Sequence, residues 1–462
     1  QGDAGDAQST LPDIAAQIRS RINSLEKDRS QFQAQIKAGF PDYERLVRPL
    51  PPSLEDISLR LMPDEAMLVL MPDTTGTNVW AVKKENGQVQ AKFHSATINA
   101  NQLTRTVTTL RKSLESIATQ GRTTKYDDSL AYQTYQALIE PLGDVLNDRN
   151  QWIVAASGAL ARLPFAVLQT ENPSKVAKPA WLISKASLTQ VPSVSAWLSL
   201  RSLPRRQLPA QALLAWGDPV FDPGLGKSEV AGAVRNVNFT RAVNNDLDKD
   251  LPSGDKIYHS IPALPETRDE LNDLAKALQA DPQRDLILGT KATKQSVMKA
   301  NSDGLLAQKK VIVFATHGLM AGDLPHLLQP ALALAADGSE SRNALGPLLT
   351  LDDVLSLKLN ADWVVLSACN TAAADGKAEE ALSGLARGFF YAGSRSMLVT
   401  HWSVESESAM LLTTQTFAAY KKDPELRRSE ALRQAMIETM KLQRFAHPTY
   451  WAPYALVGEG GR

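Results

Sequence analysis

The sequence predicts an α/β protein built on a mostly parallel sheet, and three observations carry that prediction. Short apolar runs at 213–216, 286–288, 311–315, 363–366 and 397–400 recur through the second half. Each is too short for a helix and lacks the polar alternation of a strand with one wet face, so each reads as a strand buried on both faces. Helical patterns at 266–279, 294–308, 378–391, 406–420 and 427–442 lie between or after those runs, the order that strand–helix–strand units require. Finally, 462 residues, 43% hydrophobic and 22% charged, are enough for two or three packed domains and too apolar for bulk disorder.

The elements follow in order. Ile14, Ile18, Ile22, Leu25, Phe32 and Ile36 recur at spacings of three, four and seven, with Arg29 breaking the seam, and Gly39 and Pro41 supply a stop. This predicts an amphipathic helix packed on the body or on a helical neighbour. The same pattern suits the trailing helix of an upstream helical-repeat region or a two-stranded coiled coil. From Pro51 the pattern changes: Leu68-Val69-Leu70 and Val79-Trp80-Ala81-Val82 flank the turn-rich Pro72-Asp73-Thr74-Thr75-Gly76, which predicts a hairpin. Helices are expected over 101–118 and 128–147, then a strand over 152–155. Residues 203–209 read as a linker and the polar run 222–256 as a long exposed loop. The expected organisation is an N-terminal helical segment (1–45), a first α/β half (46–205) and a second (206–462).

Composition excludes several classes. Fifty Lys and Arg balance fifty Asp and Glu, which removes the electrostatic case for a nucleic-acid partner. The longest charge-free stretch, 186–200, is 15 residues and contains Pro192. A membrane span needs about 20, so no membrane association is expected. One cysteine cannot close a disulfide within the chain or build a cysteine-rich zinc or iron–sulfur site. The six histidines form no HExxH pair and no close cluster, so neither a metal nor a cofactor is expected. The start, Gln1-Gly2-Asp3, lacks Met and an apolar targeting region, reads as that of a processed fragment, and the expected location is cytoplasmic.

Two strand ends carry chemistry. The run 311–315 leads into Thr316-His317-Gly318, and 363–366 leads into Ser367-Ala368-Cys369-Asn370-Thr371. In a parallel sheet both strands end at the same edge, where ligands and catalytic groups collect. That edge brings the single Cys369 beside His317, which lies 52 residues upstream, an order and distance similar to those of caspases. An imidazole that takes the thiol proton leaves a thiolate able to attack a carbonyl. A lone Cys after an apolar strand also reads as a small buried hydrophobe, and a lone His at a strand end as structural. The conjunction with Gly318, which permits close backbone approach, and with the small and polar run 370–376, strengthens the nucleophilic reading and leaves the structural ones open.

A longer set of segments has a family likeness. Phe314-Ala315-Thr316-His317-Gly318, Leu366-Ser367-Ala368-Cys369-Asn370-Thr371, Gly384-Leu385-Ala386-Arg387-Gly388-Phe389, Trp402-Ser403-Val404 and His447-Pro448-Thr449-Tyr450-Trp451-Ala452-Pro453-Tyr454 resemble the CHAT peptidase family. Weaker agreement reaches back through Leu264-Pro265-Glu266-Thr267, Gly217-Asp218-Pro219 and Leu163-Pro164-Phe165 to Pro63-Asp64-Glu65-Ala66. These are caspase-like cysteine peptidases related to separase and often fused to TPR repeats.

The resemblance implies a caspase-like α/β/α sandwich, with residues 46–205 an inactive caspase-like half that serves as scaffold, since they hold no Cys. It implies Cys369 as nucleophile, His317 as general base, and an oxyanion hole from the backbone N–H groups of Gly318 and Cys369. Ser367 would help line the specificity pocket, and Trp402 and Ser403 would belong to the segment that pairs with an extended substrate. Glu405 and Glu407 would select a basic residue before the cut, or, as the local alternative, favour the positive end of the helix they begin. No third orienting residue is evident. The expected function is a cysteine endopeptidase acting on protein substrates, controlled by an activating partner or upstream repeats. The alternative is a catalytically silent caspase-like scaffold.

Overall fold

The computed structural model describes residues 51–202, 209–224, 258–324, 326–339, 345–367, 379–402, 404–423 and 425–461, together with 20, 21, 24 and 25. The chain divides into two compact units, Gln1–Ser53 and Leu54–Arg462. In the first, Ser20, Arg21, Ser24 and Leu25 are helical; the remainder of the predicted apolar seam lies outside the described residues, as do 203–208 and most of the 222–256 run.

The second unit is organised by an 11-stranded sheet. Its strands are β1 (Glu65–Pro72), β2 (Thr77–Glu85), β3 (Gln88–Ala96), β4 (Gln151–Ala156), β5 (Ser187–Val191), β6 (Gln211–Gly217), β7 (Leu286–Leu288), β8 (Lys309–Ala315), β12 (Trp363–Leu366), β13 (Ser396–Thr400) and β14 (Tyr454–Gly458). Three short strands, β9 (Gly318–Leu319), β10 (Ala331–Ala333) and β11 (Leu348–Thr350), form a separate small sheet. The large sheet runs in the order β3-β2-β1-β4-β5-β14-β13-β12-β8-β6-β7. Pairing is parallel except β1–β2, β2–β3 and β13–β14. Strands from both predicted halves share this sheet, joined where β5 pairs with β14 at Gln190↔Val457.

Why the second-half strands read as unbroken apolar runs is visible in their packing. Alternate residues go to opposite faces, and both faces are covered. Leu213, Ala215, Val311, Val313, Trp363 and Val365 join Leu271, Leu274, Phe417 and Leu432 of the helices Glu266–Leu278, Ser406–Lys422 and Arg428–Lys441. Their neighbours Leu214, Trp216, Ile312, Phe314, Val364 and Leu366 join Val297 and Phe389 of the helices Lys294–Ser302 and Glu379–Ala392. The result is the expected three-layer α/β/α sandwich with a mostly parallel sheet.

The first hairpin is set by local chemistry. Asp73 accepts from Thr75 N (2.6 Å) and Gly76 N (2.9 Å) through Oδ1, and its own N–H donates to the Gly76 carbonyl, so β1 and β2 close at Pro72↔Thr77. The strand β3 was not expected from the sequence pattern. It follows β2 through Asn86 and Gly87, whose φ of 50° and 80° are the two left-handed residues of a type I′ turn.

One glycine is required outright. Gly393, between the helix Glu379–Ala392 and β13, has φ 113°, and a Cβ there would lie 2.3 Å from the Leu359 carbonyl oxygen. Gly393→Ala is expected to cost about 2–4 kcal/mol from backbone strain plus collision, read as a lowered urea midpoint with unchanged slope.

Candidate active site

The site is built at the edge where β6, β8, β12 and β13 end. Strand β8 hands over to Thr316, whose hydroxyl donates to the Ala333 carbonyl, and the carbonyl of His317 accepts from Ala333 N at 2.9 Å. Gly318 continues into β9, opposite Leu332 of β10. The backbone of the His-Gly pair is therefore fixed by the small sheet.

The His317 ring is 7% exposed and packs on Phe221 with centroids 5.7 Å apart. Its Nε2 lies 2.9 Å from the Pro262 carbonyl oxygen. A carbonyl accepts and cannot donate, so Nε2 carries the proton, and in the neutral ring Nδ1 holds the lone pair. The orienting group that the sequence did not reveal is thus a backbone carbonyl from 55 residues upstream.

Strand β12 ends at Leu366, and Leu366 is register-paired with Phe314 of β8. Ser367 follows and is buried; its hydroxyl lies 2.8 Å from Glu270 Oε1 and 3.2 Å from the Tyr454 hydroxyl. Cys369 lies outside the described residues, as does Ser403. After β6, Asp218 takes φ 47°, its N–H donates to Thr267 Oγ1 (2.8 Å), and its carboxylate accepts from Arg268 Nε (2.8 Å).

The segment after β13 is gripped by the first half of the chain. Arg111, buried, donates from Nη2 to the His401 carbonyl (2.6 Å) and from Nη1 to the Arg162 carbonyl (2.9 Å). His401 is enclosed; burial first, then the Arg111 charge, pushes its pKa down to about 3, so the ring stays neutral. Trp402 is also buried, with Nε1 donating to the Thr449 carbonyl at 2.9 Å.

Glu405 caps the helix Ser406–Lys422, its two oxygens accepting from Glu407 N (3.1 Å) and Ser408 N (2.9 Å). Glu407 pairs with Arg444. The Glu405 carboxylate is thus engaged at the helix end, as the local alternative has it, and that of Glu407 with a residue from elsewhere in the chain. Ser367, Trp402, Glu405 and Glu407 therefore all have partners within the fold. Among the described residues no helix is long and apolar enough to cross a membrane.

Residues that the sequence pattern left unmarked are Pro262, Glu270 and Arg111, and Tyr454 was marked only as the end of a family segment. Glu270 is one helical turn beyond Thr267, on the face that also buries Leu271 and Leu274, but in sequence it stands among the helix-end charges Glu266 and Asp269.

Human tetratricopeptide repeat protein 28 is 25% identical over 357 residues, covering 70% of this chain and 13% of that protein. The mouse protein of the same name is 28% identical over 225 residues, covering 42% and 8%. The chain thus spans a small part of the length of the curated relatives it matches. Among solved structures, the separase–securin complex of Saccharomyces cerevisiae superposes with TM-score 0.49 at 9% identity, covering 88% of this chain and 31% of that one. The Arg-specific cysteine proteinase gingipain R superposes with TM-score 0.40 at 10% identity, covering 78% and 74%. The family model for the CHAT domain matches residues 128–459, well over half of the sequence, and the chain belongs to the CHAT domain family.

Proposed function

We propose that this chain is a cysteine endopeptidase in which Cys369 is the nucleophile and His317 the general base. The observation that supports it most is the register of β8 and β12: Phe314 and Leu366 are paired, and His317 and Cys369 each come three residues later along the chain. The tautomer imposed by the Pro262 carbonyl points the same way, since it leaves Nδ1 as the base. Nδ1 takes the proton from Sγ, and the thiolate attacks the scissile carbonyl carbon. The backbone N–H groups of Gly318 and Cys369 receive the developing oxyanion, each such donor contributing about 3 kcal/mol in the transition state. The tetrahedral adduct collapses by breaking the C–N bond, the imidazolium returns its proton to the leaving amine, and water then hydrolyses the thioester.

In this reading residues 46–205 are the scaffold half and 206–462 the catalytic half. The grip of Arg111 on the His401 carbonyl supports a scaffold that shapes the segment where an extended substrate would pair. Upstream repeats or a partner protein would control access, an idea supported by the name of the curated relatives, and a cytoplasmic setting suits a chain with one thiol.

The test is incubation of the protein with candidate polypeptides, itself included, beside Cys369→Ala, with cleavage sites mapped by mass spectrometry. Site-specific cleavage lost in the variant is expected. Cleavage that persists in Cys369→Ala removes the mechanism. Absence of cleavage in both, with the upstream region and partner supplied, favours the silent scaffold.

A further inference from the structure

The segment 262–270 touches both strand ends of the proposed dyad. At its start the Pro262 carbonyl orients His317; at its end Glu270, in the helix Glu266–Leu278, accepts from the hydroxyl of Ser367, the first residue beyond β12. Between them Thr267 Oγ1 accepts from Asp218 N, beyond β6. Glu270 is 2% exposed and Ser367 1%. A glutamate that deep is rare unless its charge is engaged, because desolvating a carboxylate is costly. Ser367 also meets the hydroxyl of Tyr454, and Tyr454 is the ladder partner of Thr400, the last residue of β13. One buried polar chain, Glu270–Ser367–Tyr454, therefore ties the end of β12 to the end of β13 and to the segment that orients His317.

We propose that Glu270 is a positioning residue for the proposed dyad: through Ser367 it fixes the point where the chain leaves β12 toward Cys369, relative to a His317 held by the same segment. The inference rests on the peptidase reading, but its readout does not need turnover. Without that bond the chain beyond Ser367 is held less firmly and spends less time with thiol and imidazole in contact.

The experiment is the rate of Cys369 alkylation by iodoacetamide as a function of pH, with thermal melts on the same samples. Wild type is expected to react with a profile displaced to acid of a plain thiol, and His317→Ala to revert to the plain profile near pH 8.5. Glu270→Ala is expected to slow alkylation at pH 7 roughly tenfold and move the profile toward that of His317→Ala. Glu270→Gln, which keeps an acceptor oxygen, is expected to recover most of the rate, with Ser367→Ala at least as slow as Glu270→Ala. The Glu270→Ala/Ser367→Ala pair should be no slower than Ser367→Ala alone, since that single change already removes the Glu270–Ser367 bond. A folded Glu270→Ala or Ser367→Ala that leaves the profile at wild type, or singles whose effects multiply, overturn the positioning role while leaving the dyad intact. A His317→Ala profile equal to wild type overturns the dyad itself, and the positioning role with it.

Discussion

In the proposed peptidase mechanism Cys369→Ala is expected to abolish cleavage, and His317→Ala to lower kcat/KM by about 10³–10⁵ at pH 7. The second figure has two sources. An unassisted thiol with a pKa near 8.5 is only a few per cent thiolate at neutral pH, so loss of the imidazole removes roughly a factor of 30 in nucleophile. The amine leaving group also needs a proton as the C–N bond breaks, and losing that acid costs roughly 10²–10³ more. The two changes act on one unit, so the double variant is expected to be no worse than Cys369→Ala alone. The pH dependence separates the two contributions: in His317→Ala the residual rate should climb with thiolate formation toward pH 8.5, where wild type is already flat. Steady-state kinetics on a cleaved peptide from pH 5 to 9 measures this. A His317→Ala rate within tenfold of wild type removes the imidazole from the chemistry.

How much of this was legible depends on which kind of signal a residue leaves. The β8 and β12 runs were readable because both their faces are buried, and the His-Gly and Ser-Ala-Cys segments because they follow those runs directly. β5 was not, because Ser187, Thr189 and Gln190 give Ser187–Val191 no apolar run; it is held by its neighbours β4 and β14. Nor was β3, although Asn86-Gly87 is the strongest two-residue turn signal available. The Pro262 carbonyl leaves no side-chain trace, and no composition rule marks a backbone atom as the partner of a His 55 residues away. Glu270 is hidden for the opposite reason. An acidic residue in Glu266–Leu278, among Glu266 and Asp269, looks like helix-end charge until its burial is seen. The pocket expectation for Glu405 and Glu407 met the same ambiguity: Glu405 caps its helix, and Glu407 pairs with Arg444.

Asp285→Ala is expected to destabilise the fold by about 3–5 kcal/mol without touching the catalytic edge. Asp285 immediately precedes β7 and Lys309 opens β8, so the pair sits at the end of the sheet away from His317. Their side chains are each 1% exposed and 2.8 Å apart. Removing the carboxylate strands a buried ammonium, which is the costly half of the exchange. Lys309→Met should cost less, about 2 kcal/mol, because Asp285 still accepts from Arg284 (2.9 Å) and from Asp281 N (3.1 Å). The double change Asp285→Leu/Lys309→Met leaves no buried charge behind and is expected to lie within about 1 kcal/mol of wild type. Burial alone would raise the Asp285 pKa, but bonds from Arg284 and Lys309 outweigh it and bring the group to about 2. A carboxyl depressed in the fold stabilises above its unfolded value of about 3.9 and loses that contribution as pH falls through the folded value. The gap between wild type and Asp285→Ala should therefore be full at pH 7 and shrink from about pH 4 toward pH 2. Urea midpoints across that range measure it; a gap that stays constant, or a double variant as unstable as Asp285→Ala, would show that the buried charge pair does not set the cost.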